Sequence, residues 1–273
     1  MQSLRRNNRR DLRNMRENTN STSTRNIVSV LITVAIGLVA LVLLSFTKKE
    51  AGSGNIKVGD NLQSKTASSS SSSDVFQEGN VGGIPYLHCG VAAAPSSSSP
   101  IIIDLVLLHG SRFTKEDWRT SGILPKLCAI PNFSVTALDL DKSAGHDELK
   151  SVLVAMTKDS LIHKLPAAVV TPSASGKTIV DWLDDIPELK QYISKWIPVA
   201  PPAVMRANEE QLKQLAGLLP ILAIYGATDA GGKLVSEKLG QLSQATVIEV
   251  PGSHPCYLDS PDEFIQHVRA FLE

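Results

Sequence analysis

The sequence predicts an α/β domain: a mostly parallel central sheet with helices on both faces and a small cap or none. Apolar, β-branched runs of strand length alternate with helix-like segments over the last three quarters of the 273-residue chain, which argues for crossover connections between parallel strands. Residues 75–273, about 200 in all, suffice for one sizeable core. Polar loops at the ends of several runs carry serine, aspartate and histidine.

Taken in order, 75–81 and 84–89 flank Gly82-Gly83, the signature of an antiparallel hairpin, expected to form the sheet's first edge. The serine patch at 96–99 reads as a loop. The run 101–108, interrupted by Asp104, is a strand, and 147–158 is a helix. A buried strand opens at Ala167, and 176–183 reads as the helix behind it. Residues 195–203 form a strand and its exit loop, followed by one charged helix at 208–218. That leaves little room for the cap that shapes long-chain lipases, so the expected substrate carries a small acyl group. A strand at 219–225, a helix at 233–242, a strand at 246–250 and a helix at 261–272 complete the domain. Trp182, Trp196 and Tyr257 are assigned to the core rather than to a pocket wall, as large aromatics usually are.

Chemistry concentrates after the strands. The stretch Ala167-Ala168-Val169-Val170-Thr171-Pro172-Ser173-Ala174-Ser175-Gly176 ends an apolar run on a serine between small residues. A strand, a tight turn and a helix lift one hydroxyl clear of the sheet, and the turn tolerates only small neighbours. Ser173 is the candidate nucleophile. Upstream, a strand ends in His109-Gly110-Ser111-Arg112-Phe113, a turn suited to an oxyanion loop, with the N–H groups of Ser111 and Ala174 as expected donors. Downstream, Asp229 lies in the Gly-rich loop 226–232 and His254 in Pro251-Gly252-Ser253-His254-Pro255. Asp229 is the candidate orienting acid and His254 the candidate base. Among the other histidines, His88 precedes the core strands, His146 lies in a charged loop, and His163 and His267 have helix-like surroundings; these and His109 are read as structural.

Taken together, Val106-Leu107-Leu108-His109-Gly110-Ser111-Arg112-Phe113, Pro172-Ser173-Ala174-Ser175-Gly176, Val199-Ala200-Pro201 and His254-Pro255-Cys256-Tyr257-Leu258-Asp259 resemble the α/β-hydrolase-domain protein fourteen group over residues 75–273. The resemblance implies an α/β-hydrolase fold and a serine hydrolase with Ser173, Asp229 and His254 at the triad positions. The chain order Ser, Asp, His is that of such enzymes. It also implies hydrolysis or transfer of short acyl groups, including acetyl from amines. Thr171 stands where the group has serine, and Lys177 is a second departure, near the pocket mouth.

Two other readings remain open. Ser175-Gly176-Lys177-Thr178 after a strand resembles the end of a phosphate-binding P-loop, but position 171 is threonine rather than glycine and Pro172 removes an N–H where such a loop needs one. A membrane-tethered, non-catalytic interaction domain of the same fold is the other.

The first 74 residues are a separate physical object. Residues 27–46 carry no charge and are rich in Val, Leu and Ile, which is the length of a bilayer-spanning helix. With no small-residue cleavage site and Lys48-Lys49 following directly, the segment reads as a signal anchor. Seven arginines precede it, among them Arg5, Arg13 and Arg25; this predicts a cytoplasmic tail at 1–26 and a lumenal or extracellular domain. A mitochondrial address is the rival for the Arg-rich start. The Ser/Gly-dominated segment 47–74 is expected to be a flexible tether. The expected partners are therefore a small acyl-bearing substrate and the lipid bilayer.

With 27 basic and 27 acidic residues the formal net charge is zero, so nucleic acid is not an expected partner. Cys89, Cys128 and Cys256 are an odd count without metal-ligand spacing: no metal and no cofactor are expected, and no pairing follows from sequence. Cys256 reads as a buried filler. Asn132-Phe133-Ser134 is a glycosylation sequon. Oligomeric state is left open.

Overall fold

The computed structural model describes residues 76–90 and 101–273. The calls on 1–26, 27–46 and 47–74 lie outside them. Among the described residues, no helix is long and apolar enough to cross a membrane.

Eight strands, β1 (Gln77–Val81), β2 (Ile84–Cys89), β3 (Ile103–Leu107), β4 (Phe133–Leu138), β5 (Ala167–Pro172), β6 (Ile193–Val199), β7 (Leu222–Gly226) and β8 (Thr246–Val250), form one sheet in the order β1-β2-β4-β3-β5-β6-β7-β8. The two pairings of β2, with β1 and with β4, are antiparallel and the others parallel. The hairpin forms because Gly82 and Gly83 both take positive φ, +58° and +87°, as such a two-residue turn requires.

Nine helices cover the sheet: α1 (Lys115–Thr120), α2 (Ile123–Cys128), α3 (His146–Lys158), α4 (Lys177–Val180), α5 (Ile186–Tyr192), α6 (Glu209–Gln214), α7 (Ala230–Ser243), α8 (Cys256–Asp259) and α9 (Pro261–Leu272) are those within the described residues. The strands sort their side chains by twos, as pleating dictates. Val106, Leu108 and Val169 pack with α3, α5, α6 and α7 on one face; Leu105, Leu107 and Val170 pack with α1, α2 and α9 on the other. Trp182 and Trp196 lie in the first of these cores and Tyr257 in the second. The fold is an α/β-hydrolase fold, with the strand ends gathered along one edge of the sheet.

Several local expectations need correction. The helix expected at 176–183 is broken into a 3-10 turn over Ser173–Gly176, the single turn α4, and a second 3-10 turn over Leu183–Asp185. His163 lies in an irregular segment rather than a helix, its Nδ1 2.9 Å from Asp104 Oδ1. His146 opens α3 and His88 lies within β2. Cys89 and Cys128 form a disulfide tying β2 to the end of α2. Asn132 lies in the turn just before β4 with a φ of 66°, and Phe133 and Ser134 of the sequon are buried.

Candidate active site

Loops at the carboxyl ends of β3, β5, β7 and β8 meet at one point. Leaving β5, the chain turns so sharply that Ser173 adopts a φ of 51°, in the left-handed region that L-residues seldom occupy without a local reason. Small neighbours hold the turn. Ser175 Oγ donates to Pro172 O at 2.9 Å and Thr178 Oγ1 donates to Ser175 O at 2.8 Å. Gly176 lies against Pro201, where a Cβ would come within 3.0 Å of Cγ and closer still to Cβ. Thr171 is not merely tolerated: its hydroxyl accepts the buried indole N–H of Trp196 at 2.7 Å.

Asp229 is the N-cap of α7. Its Oδ1 accepts the Gly232 N–H at 2.9 Å, which leaves Oδ2 to face His254 Nδ1 at 2.6 Å. The other ring nitrogen, Nε2, lies 2.8 Å from Ser173 Oγ. The imidazole is 45% exposed and the carboxylate only 13%, so the carboxylate is shielded while the imidazole faces the solvent side. A carboxylate on Nδ1 fixes the tautomer that leaves Nε2 free to accept a proton.

The acid and base loops are stitched together. Ala227 N donates to Val250 O at 2.9 Å, and Thr228 donates to Gly252 O through both N (3.0 Å) and Oγ1 (2.9 Å). Asp259 Oδ2 accepts from the N–H and the hydroxyl of Ser253, each at 2.7 Å, so the residue before His254 is anchored. Thr228, Gly232, Ser253 and Asp259 were not singled out from sequence. An aspartate five residues after the candidate base, in Pro255-Cys256-Tyr257-Leu258-Asp259, is the only trace of this brace that the sequence offers.

The expected oxyanion loop abuts the elbow: a Cβ on Gly110 would lie 3.7 Å from Ser173 Cβ. Among the described residues the Ser111 N–H has no hydrogen-bond acceptor, and Ala174 lies in the first turn of a 3-10 helix, where N–H groups lack intrahelical partners. His109 lies with its Nε2 3.8 Å from Asp139, which also accepts the Lys115 N–H at 2.5 Å.

A cavity of about 350 Å³ opens over Ser173, walled by Ser111, Arg112, Phe113, Val199, Pro255 and Tyr257 among others. Tyr257, assigned to the core from sequence, therefore does both: its ring packs on Trp118 at 4.7 Å and also lines the cavity. Burial pushes its phenol pKa up, with the Asp117 carboxylate adding to the effect. Cys256 is fully buried and absent from the cavity wall, and burial pushes its thiol up to about 12. Lys177 also stands outside the wall. Its ammonium bonds Asp181, whereas a P-loop lysine must be free to reach a phosphate.

Comparisons with known proteins agree with this architecture. No family model matches the chain. A rat protein named "Putative protein-lysine deacylase ABHD14B" is 29% identical over 197 residues, spanning 66% of this chain and 88% of that protein. The human protein of the same name is 30% identical over 181 residues, or 62% and 82%. Among solved structures, the carboxylesterase CesB from Bacillus subtilis superposes with a TM-score of 0.53 at 14% identity, covering 72% of this chain and 91% of that one. The serine hydrolase CarC, involved in carbazole degradation, gives 0.54 at 14%, covering 72% and 98%. At such identities the structural likeness speaks to the fold alone.

Proposed function

The chain belongs to the α/β-hydrolase family, and from that premise we propose that it is a serine hydrolase that cleaves or transfers short acyl groups through Ser173, His254 and Asp229. The observation that carries this reading is the continuous line of two short contacts, Ser173 Oγ to His254 Nε2 at 2.8 Å and His254 Nδ1 to Asp229 Oδ2 at 2.6 Å. The names of the rat and human relatives, deacylases of protein lysine, support an acyl ester or amide as substrate.

In the proposed reaction Ser173 Oγ attacks the acyl carbonyl and its proton passes to His254 Nε2, while Asp229 stabilises the imidazolium. The carbonyl π electrons move to oxygen, where the N–H groups of Ser111 and Ala174 stabilise the charge, an interaction worth about 3 to 4 kcal/mol of barrier. As the tetrahedral intermediate collapses, the bond to the leaving group breaks and His254 returns the proton to it. Water, or another acceptor, then attacks the acyl-enzyme with His254 again as base, releasing the acyl group and restoring Ser173. A cavity of about 350 Å³ suits a small acyl chain.

The test is chemical. Ser173→Ala is expected to abolish turnover of short acyl esters and labelling by a fluorophosphonate probe, and Asp229→Asn to lower kcat by on the order of 10³- to 10⁴-fold by favouring the wrong tautomer. Lys177→Ala keeps both turnover and labelling. A Ser173→Ala protein that still turns over short esters overturns the reading.

We further propose that residues 27–46 anchor the chain in a membrane with its amino end cytoplasmic, which leaves the hydrolase domain lumenal or extracellular. The uncharged run and the arginine excess before it support this, and so does the Cys89–Cys128 disulfide, since such bonds persist in oxidising compartments. Protease protection of the domain in sealed microsomes tests the orientation, and digestion without detergent overturns it.

A further inference from the structure

One charged side chain of the cavity wall has no counterpart in the proposed chemistry. Arg112 follows Ser111 directly and lines the cavity over Ser173. Among the described residues its guanidinium forms no ion pair and no hydrogen bond. The nearby cations of the same segment are matched: Lys115 pairs with Glu78 and Glu116, at 3.2 and 3.0 Å, and Arg119 pairs with Glu116 at 2.5 Å. Carboxylates elsewhere around the strand ends have partners of their own. Asp117 Oδ2 accepts the Thr114 N–H at 2.7 Å, and Asp139 takes the Lys115 N–H and lies against His109. Asp229 is turned to His254.

The rest of the wall carries no permanent charge, and Phe113, Pro172, Val199, Pro255 and Tyr257 supply its apolar side chains. Arg112 is itself exposed, but a permanent cation beside low-dielectric walls attracts anions more strongly than one on an open surface, because the walls focus its field. A guanidinium is also the group best shaped to hold a carboxylate by two parallel hydrogen bonds. Neither the attack of Ser173 nor the oxyanion donors call for it.

We propose that Arg112 is a specificity-determining residue that selects substrates bearing a carboxylate, or a comparable oxyanion, close to the scissile acyl bond. The inference rests on the serine hydrolase reading and names its substrate class. The carboxylate sits either at the far end of the acyl chain or on the leaving group, and the two arms of the experiment separate these.

In the acyl arm, kcat/KM is measured for the 4-nitrophenyl esters of glutaric acid (the monoester) and of valeric acid, which differ by one terminal carboxylate. In the leaving-group arm, the acetyl esters of 3-hydroxybenzoic acid and 3-hydroxybenzamide are compared. The readout is the anionic-to-neutral ratio in the unaltered protein divided by that in Arg112→Gln, so that intrinsic ester reactivity cancels. In one arm this quotient is expected to reach about tenfold or more, the scale of one charge-assisted contact. It should shrink with added salt and be partly restored in Arg112→Lys. Lys177→Gln, which removes an exposed cation outside the cavity, leaves the ratio unaltered. A quotient near one in both arms overturns the proposal. If no ester is turned over at all, the hydrolase reading itself fails, and the anion site is then judged alone by calorimetric titration of glutarate, with the neutral valeramide as control. Glutarate binding tighter in the unaltered protein than in Arg112→Gln sustains it, and equal binding in the two proteins overturns it.

Discussion

Gly232 makes room for the carboxylate of Asp229. A Cβ at position 232 would stand 2.8 Å from Asp229 Cγ and 2.7 Å from Ala200 Cβ, and closer still to Oδ2, the oxygen that faces His254. The glycine also donates its N–H to Oδ1 at 2.9 Å, so one small residue both holds the acid and clears the space in which it turns.

Gly232→Ala is therefore expected to damage activity more than stability. Overpacking costs about 1 to 3 kcal/mol, which a folded domain can survive, whereas a carboxylate displaced by about 1 Å lowers kcat on the order of 10²-fold. Ester turnover and the urea midpoint, measured on the same preparation, check this. A variant that loses stability while keeping kcat would show that Asp229 has room to spare.

Thr171 offers a cleaner stability test. Its hydroxyl accepts the Trp196 indole N–H at 2.7 Å, and both residues are fully buried. Thr171→Val preserves shape and leaves that N–H without an acceptor, at a cost of about 1 to 3 kcal/mol. Thr171→Ser, which restores the residue implied by the family resemblance, retains the acceptor and is expected to stay closer to the parent. Chemical denaturation of the three proteins decides the matter, and equal midpoints for Val and Thr would mean the bond contributes nothing net.

What the sequence made legible follows from how local each signal is. The strand Thr246–Val250 and the helix Pro261–Leu272 lie where periodicity and the Ser260-Pro261 start put them. Ser173, Asp229 and His254 stand out in the sequence because each ends or follows an apolar run. The helix after the elbow was misread because Gly176 and Thr178 permit either a helix or a tight turn, and packing against Pro201 decides. The helix expected from 233 starts at Ala230 because Asp229 caps it, a role invisible in a run of glycines. The Cys89–Cys128 bond joins residues 39 apart in sequence, and three cysteines allow three pairings. Asp259 reaches Ser253 only after α8 turns the chain back, so its bracing of the His254 loop needed coordinates.

That disulfide makes its own prediction. By restricting the unfolded chain, a cross-link over a loop of this size stabilises a domain by about 2 to 4 kcal/mol. Cys89→Ser combined with Cys128→Ser is expected to lower the denaturation midpoint accordingly. Thiol alkylation of the unreduced, denatured protein should label Cys256 alone. Labelling of all three cysteines in protein isolated without reductant from its native source would remove both this stabilisation and the support it lends to an oxidising compartment.

His88 links stability to pH. Its side chain is buried in β2, with Nδ1 2.9 Å from Thr136 Oγ1. Its pKa is lowered, first by burial and then by the nearby His163 imidazole, with Asp104 and the Val135 backbone opposing in part. Released by unfolding, the imidazole takes up a proton near its ordinary value of 6.5, while in the folded protein it stays neutral to lower pH. Between those two values the unfolded state binds more protons, so stability rises with pH. The contribution is fully present above the unfolded value and is lost as pH falls toward the folded one. Replacing His88 by Asn, which keeps a polar group near Thr136 and cannot be protonated there, should flatten that dependence. Urea midpoints at pH 7 and pH 5 measure it: the parent should lose more on acidification than His88→Asn, and equal losses would assign the acid sensitivity to other groups.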